Sequence, residues 1–247
     1  MRLSHLVAML GVLGVLSATA YVAQQQASYR DPVLASTVQV PPPVVGAPAV
    51  TPVRRGTVSR SRPTLIDGQW IADTAYRAGI PAPALRAYAR ATQQVPGSCH
   101  LGWTTLAGIG WVESQHGTIG GRSVSADGRP SVAILGPTLD GRGRFAAIPA
   151  TAQSARWHGD AAWDHAVGPM QFIPSTWTTW ASDGDGDGVA DPHDLDDAAF
   201  AAARYLCASG TLANGADWAA AIYSYNHERV YVTSVFSAAE TYAERTS

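Results

Sequence analysis

Cysteine is scarce in this chain and charge is sparse. Of 247 residues only Cys99 and Cys207 are cysteines, and 15% are charged. No cysteine stands near the N-terminus, which excludes a lipid-modified anchor there. No Cys-x-x-Cys or histidine pair accompanies the two thiols, which argues against a zinc site. The net charge is −2 and no basic stripe appears, so nucleic acid is not an expected partner. No internal repeat is present, so the chain reads as one unit with accessory segments rather than as an array.

What is present divides in three. Arg2 precedes an apolar run from Leu6 to about Ala23, long for a signal-peptide core and slightly short for a spanning helix. Ala18-Thr19-Ala20 offers a cleavage site, yet Tyr21-Val22-Ala23 continues the run. Residues 1–23 therefore read as a signal peptide or an N-terminal membrane anchor, and either sends the remainder out of the cytoplasm. Residues 24–63, rich in Pro, Val and Ala, favour extended and solvated backbone and read as a linker. Residues 64–247 form the expected folded domain. In an exported chain an even cysteine pair implies a disulfide, Cys99–Cys207, with two buried thiols as the alternative.

The domain is expected to be mainly α. Apolar spacing predicts helices over Trp70–Ala78, Pro83–Val95 and Leu101–Gln115, then over Leu195–Ala208, Ala216–Tyr225 and Arg229–Arg245, with a short one opening at Pro174. Residues 118–165 break the pattern and read as a long irregular insertion, with room for a short hairpin.

Four motifs carry chemistry. Glu113 ends the uncharged stretch Leu106–Val112. A free glutamate titrates near ~4.3, so only about 0.2% is protonated at pH 7. Apolar surroundings can lift that value toward ~6 and make a usable general acid. The alternative is a helix-terminal glutamate facing water. Gly168-Pro169-Met170-Gln171-Phe172 fixes a turn, with the Gln171 amide able to donate to and accept from sugar hydroxyls, or else forms a packed loop. Tyr225-Asn226 places a phenol and an amide at a helix end, where Asn226 can equally act as a cap. In Asp183–Asp194, carboxylates occupy positions 1, 3, 5, 9 and 12 (Asp183, Asp185, Asp187, Asp191, Asp194), Gly188 occupies position 6 and Val189 offers its carbonyl at position 7. That is the pattern of an EF-hand calcium loop. Asp194 replaces the usual Glu, which shortens the bidentate reach, so modest affinity is expected and Mg²⁺ is the alternative ion.

Taken in order, Trp111-Val112-Glu113-Ser114-x-His116-Gly117, the Gly168–Ser175 block, the Asp-Gly loop and Tyr225-Asn226 resemble the lytic murein transglycosylases of the membrane-bound type B family. The likeness is to an exported, actinobacterial-like form and runs from about Pro81 to Tyr242. The resemblance implies a lysozyme-like α-helical domain that cleaves the β-1,4 bond between N-acetylmuramic acid and N-acetylglucosamine without water, leaving 1,6-anhydromuramic ends. It implies Glu113 as single acid and base, a cleft lined by Met170, Gln171, Phe172, Ser175, Tyr225 and Asn226, and a structural Ca²⁺. The expected partner is the peptidoglycan glycan strand. The expected state is a monomer, secreted to the wall or anchored to the outer face of the membrane. Two other readings compete: a hydrolytic muramidase with Asp160 or Asp164 as the second carboxylate, and an inactive, calcium-dependent wall-binding module.

Overall fold

The computed structural model describes residues 65–247 apart from Arg144 and Ser209. The signal or anchor reading of 1–23 and the linker reading of 24–63 lie outside these residues. Among the described residues no helix is long and apolar enough to cross a membrane.

Two helices open the domain. Helix α1 (Gly68–Ala78) starts where the Asp67 carboxylate accepts from Trp70 N at 2.8 Å, and stops at Gly79, whose φ of 72° few other residues adopt. Helix α2 (Ala82–Gln94) carries proline in its first turn and buries Ala84, Leu85, Ala87, Tyr88 and Ala91. Helix α3 (Trp103–Ser114) has no polar stripe: every residue from Trp103 to Gly110 is buried, which makes it the central helix. Its two glycines admit neighbours. A Cβ on Gly108 would stand 2.7 Å from the Val235 carbonyl oxygen, and one on Gly110 would stand 2.0 Å from the Tyr88 hydroxyl.

The insertion that follows is folded back on itself. Strand β1 (Leu135–Thr138) pairs antiparallel with β2 (His165–Val167), aligning Leu135 with Val167 and Thr138 with His165 across a register irregularity. Isolated bridges add Val124 to Pro130, Asp140 to Ala147 and Pro149 to Trp163, and a single helical turn, α4 (Ala155–His158), lies between. Several contacts dock the lobe on the rest of the domain. Arg86 Nη1 donates to Ala126 O at 2.6 Å, Leu195 N donates to Gly128 O at 3.1 Å, and Arg129 pairs with Asp191 at 2.6 Å.

Helix α5 (Pro174–Trp180), the acidic loop, α6 (Leu195–Cys207), α7 (Gly215–Tyr225) and α8 (Arg229–Thr246) complete the chain. Helix α8 packs along α3, and the alanine-rich α6 packs along α2. Leu85, Leu106, Ile109, Leu195 and Ile222 are fully buried between them, each contributing about 1.5–3 kcal/mol. Asp196, also buried, accepts from Arg86 and Arg90 at 2.7 Å each and pins α6 to α2 electrostatically. The Cys99–Cys207 disulfide joins the short turn before α3 to the end of α6.

Candidate active site

Glu113 lies in the last turn of α3, and the chain after it is forced into a sharp exit. Gln115, His116 and Gly117 all have positive φ (52°, 61° and 86°). That run is fixed from two sides. Ser114, fully buried, donates from Oγ to Pro169 O at 2.5 Å and accepts from Gly117 N at 2.8 Å. The His116 ring is buried between Tyr88 Oη (3.1 Å from Nδ1) and Tyr242 Oη (2.8 Å from Nε2). Burial pushes the His116 imidazole down to about 3, so it stays neutral and serves as a strut between α2 and α8 rather than as a base.

The carboxyl of Glu113 is half-buried, and Tyr231 from α8 donates to its Oε1 at 2.6 Å. Burial pushes the Glu113 carboxyl up to about 7, against the opposing pull of the Tyr231 hydrogen bond. Tyr231 and Tyr225 are both held well above the usual phenol value, by burial first and by the Glu113 charge second, so both remain hydrogen-bond donors. Their rings stack in parallel, 6.4 Å apart, and Tyr225 Oη donates to Met170 O at 2.8 Å. A chain of contacts therefore runs from the Glu113 carboxyl through Tyr231 and Tyr225 to the Gly168–Gln171 turn, and Ser114 closes the circuit on the other side.

The turn itself is tight. Val167 and Phe172 exchange backbone hydrogen bonds at 2.8 and 3.0 Å, and Gln171 N donates to Gly168 O at 3.1 Å. Gly168 is obligatory here. Its φ is 76°, and a Cβ would fall 1.7 Å from Pro192 O at the end of the acidic loop. Gln171 also has positive φ, 48°, and its amide Nε2 donates to Gly168 O at 3.0 Å.

The expected lining residues divide. Gln171 and Tyr225 are half-buried and adjoin the Glu113 machinery; Asn226 is exposed immediately after α7, in an extended conformation rather than as a left-handed cap. Ser175 is exposed on the first turn of α5. Met170 and Phe172 do not line a cleft with their side chains. Met170 is fully buried and Phe172 nearly so, edge-on to Trp177 and Tyr225. Met170 reaches the site through its carbonyl instead. Tyr231 escaped the motifs altogether, and Ser114, though within the Trp111–Gly117 motif, carried no expected role. The only signal for Tyr231 was its place on the apolar stripe Tyr231–Val235–Ala239–Tyr242 of α8.

Neither aspartate expected as a second carboxylate is free. Asp160 Oδ1 accepts from Ala162 N at 2.7 Å and Trp163 N at 3.2 Å, and Oδ2 faces His165 Nε2 at 3.2 Å. Those backbone donors, with His165, hold its carboxyl below the ordinary aspartate value. Asp164 is buried against His158, whose Nε2 stands 3.2 Å from its Oδ1. His158 Nδ1 accepts from Asp160 N at 3.2 Å, which leaves Nε2 to donate to Asp164.

The acidic loop lies between α5 and α6. Asp183, Asp185 and Asp187 bring one carboxylate oxygen each within 4.8 Å of one another. Asp183 also accepts from Gly186 N and Gly188 N, at 2.7 and 2.9 Å, and both glycines have positive φ. The other two expected acidic ligands are engaged elsewhere. Asp191 pairs with Arg129, while Asp194 caps α6 by accepting from Asp196 N and lies 3.5 Å from Arg129. Asp197, which the motif does not include, ties the loop's two ends by accepting from Gly184 N at 2.7 Å and Asp191 N at 2.9 Å. Burial, and then the charges of Asp194 and Asp185, push it up to about 7. Among the described residues the Asp183–Asp185–Asp187 trio is a group that could hold a cation, one of hard-oxygen preference.

Residues 147–221 match the family model described as the Transglycosylase SLT domain. The matched segment holds the Gly168–Phe172 turn, the acidic loop and α6; Glu113, Tyr225, Asn226 and Tyr231 fall outside it. No curated protein and no solved structure matches the chain. The match agrees with the mainly helical, lysozyme-like architecture. It supports a likeness to the lytic transglycosylases over that segment.

Proposed function

We propose that this SLT-domain protein cleaves the β-1,4 bond between N-acetylmuramic acid and N-acetylglucosamine without water, leaving 1,6-anhydromuramic ends, with Glu113 as its single acid and base. The observation that carries the reading is the Glu113 carboxyl itself, lifted to about 7 by burial and held at Oε1 by Tyr231. At neutral pH about half of such a group is protonated, so one residue can serve in both roles. With Oε1 accepting from Tyr231, the acidic proton resides on Oε2. That proton goes to the glycosidic oxygen as the C1–O bond breaks. The carboxylate then takes the proton of the muramic 6-hydroxyl as that oxygen bonds to C1. The bond broken is replaced by the bond formed, and no water is consumed. An intramolecular hydroxyl benefits from a high effective concentration and needs no second carboxylate. The internal engagement of Asp160 and Asp164 supports this reading over hydrolysis.

Gln171, Asn226 and Ser175 are assigned to hold the glycan, and Tyr225 to hold the turn that presents Gln171. The order of motifs supports a type B member, and we assign it as a monomer, secreted or tethered through residues 1–23. Digestion of purified peptidoglycan followed by mass spectrometry tests the chemistry. Non-reducible muropeptides, one water lighter than hydrolysis products, are expected; reducible muramic ends would establish a hydrolase instead.

The acidic loop is assigned a structural Ca²⁺, with Mg²⁺ the alternative, held by Asp183, Asp185, Asp187 and the Val189 carbonyl. Asp191 and Asp194 complete the set when Arg129 yields them. Bound there, the ion neutralises a carboxylate cluster that abuts Gly168 through Pro192. Melting of the parent protein is expected to rise in millimolar calcium and fall with chelator, by about 2.7 kcal/mol at a hundredfold excess over Kd. Asp183→Ala with Asp185→Ala should melt at one temperature in both. Identical melting of the parent in calcium and chelator would rule the metal out.

A further inference from the structure

Seven of the eight tryptophans are buried or half-buried; Trp111 alone is exposed, at 47%. It stands on the rim of a groove of about 550 Å³ running along the outer face of α8, away from the Glu113 carboxyl's own contacts. The groove wall is hydroxyl-rich: Thr233, Ser234, Ser237 and Thr241 line it at helical spacing. Thr233 and Ser234 donate their hydroxyl hydrogens to Val230 O at 2.9 and 2.8 Å, and Thr241 donates to Ser237 O at 2.8 Å. Their donors are thereby spent within the helix, which leaves oxygen lone pairs to accept from a ligand. The far end is closed by Arg245, whose Nη1 donates to Ala78 O at 3.0 Å. That bond fixes the guanidinium and leaves further N–H groups for an anion. No acidic residue lines the groove, so its single charge is positive.

We propose that this groove is a second saccharide-binding site, accommodating a carboxylate-bearing stretch of the glycan strand. An indole face stacks on a sugar ring, a row of hydroxyl acceptors meets sugar hydroxyl and acetamido N–H donors, and a fixed guanidinium meets the carboxylate. Trp111 and Thr233 are each two residues from Glu113 and Tyr231, a helical spacing that turns them to a different face, so the groove is a site apart from the Glu113 carboxyl. The inference rests on the peptidoglycan reading above, but its test is separate.

The test measures binding in the Glu113→Gln background, where turnover does not intrude. The probes are glycan strands stripped of their stem peptides, which carry free lactyl carboxylates, and neutral chitotetraose. Trp111→Ala and Ser237→Glu, each added to that background, are expected to weaken strand binding about tenfold, with Trp111→Tyr retaining most of it. Ser237→Glu should discriminate between the probes, weakening the strands more than chitotetraose. Circular dichroism and melting confirm that each variant folds; Ser237, on an open helix face, guards against a misfolded Trp111→Ala. Strand binding unchanged by both substitutions overturns the proposal, as does a Glu113→Gln parent that binds neither probe. Weakened binding together with hydrolytic products from the Glu113 parent would sustain the groove and sink the transglycosylase chemistry alone.

Discussion

Glu113→Gln should lower turnover of peptidoglycan by about 10³-fold or more, the scale of a lost general acid that also serves as base, while glycan binding persists. Retention of a tenth of the parent rate would rule out Glu113 as sole acid and base. The same substitution should stabilise the protein at alkaline pH. The folded carboxyl sits at about 7 against 4.5 for the unperturbed group. The folded state therefore keeps its proton where the unfolded chain has lost it, and the parent loses stability as pH rises from 4.5 through 7. Gln carries no such dependence. The full linkage is on the order of 3 kcal/mol, and partial exposure reduces it to about 1–2 kcal/mol. Melting curves of parent and variant should thus diverge between about pH 5 and pH 8, the variant melting higher. Activity should mirror this, with kcat/KM falling about tenfold per unit well above pH 7 as the acid is lost.

Removing the disulfide should cost more stability than replacing Asp183 and Asp185. Cys99 and Cys207 are 108 residues apart, and closure of so long a loop contributes about 2–5 kcal/mol in practice. The bond also holds the α6 terminus beside the turn in which Leu212 N donates to Cys99 O at 2.7 Å. Cys99→Ala with Cys207→Ala is expected to lower Tm by roughly 6–15 °C for a domain of this size, and reductant should bring the parent to nearly the same value. Scanning calorimetry with and without reductant checks both arms. A shift under about 2 °C would mean that the helical core carries the fold without the crosslink.

The helices were legible because their ends are written locally. Asp67, Gly79 and the proline of α2's first turn mark boundaries that agree with expectation to within two residues. Helix α3 was legible for another reason: an uncharged run punctuated by glycine suits only a buried helix met closely by its neighbours. The insertion was legible as irregular, but its pairing was not. Its pairs join Leu135 to Val167 and Pro149 to Trp163 through strands too short for alternation to show. The candidate site was half legible. A carboxyl in apolar company could be read from residues 106–113, but the phenol that bonds to it lies 118 residues away. The alternation of acids in the loop is plain in the sequence, whereas the competition of Arg129 for Asp191 and the bridging by Asp197 depend on tertiary contacts that no motif encodes. The expectation that Met170 and Phe172 line the cleft came from the resemblance; in the turn, with positive φ at Gly168 and Gln171, both of their side chains went to the core.

The seating of α8 has a consequence for the order of assembly. Glu113 belongs to the middle of the chain, yet part of its surroundings arrives with the last helix: Tyr231, whose hydroxyl bonds to the carboxyl and pulls its pKa down, and the wall that Val235, Ala239 and Tyr242 lay against α3 and the turn after it, which belongs to the burial that pushes the pKa up. A polypeptide made from its N-terminus carries this glutamate as an ordinary, solvated, ionised side chain until α8 emerges and docks. The long-range closure that completes the core is thus also the event that takes the carboxyl out of water and lifts its pKa.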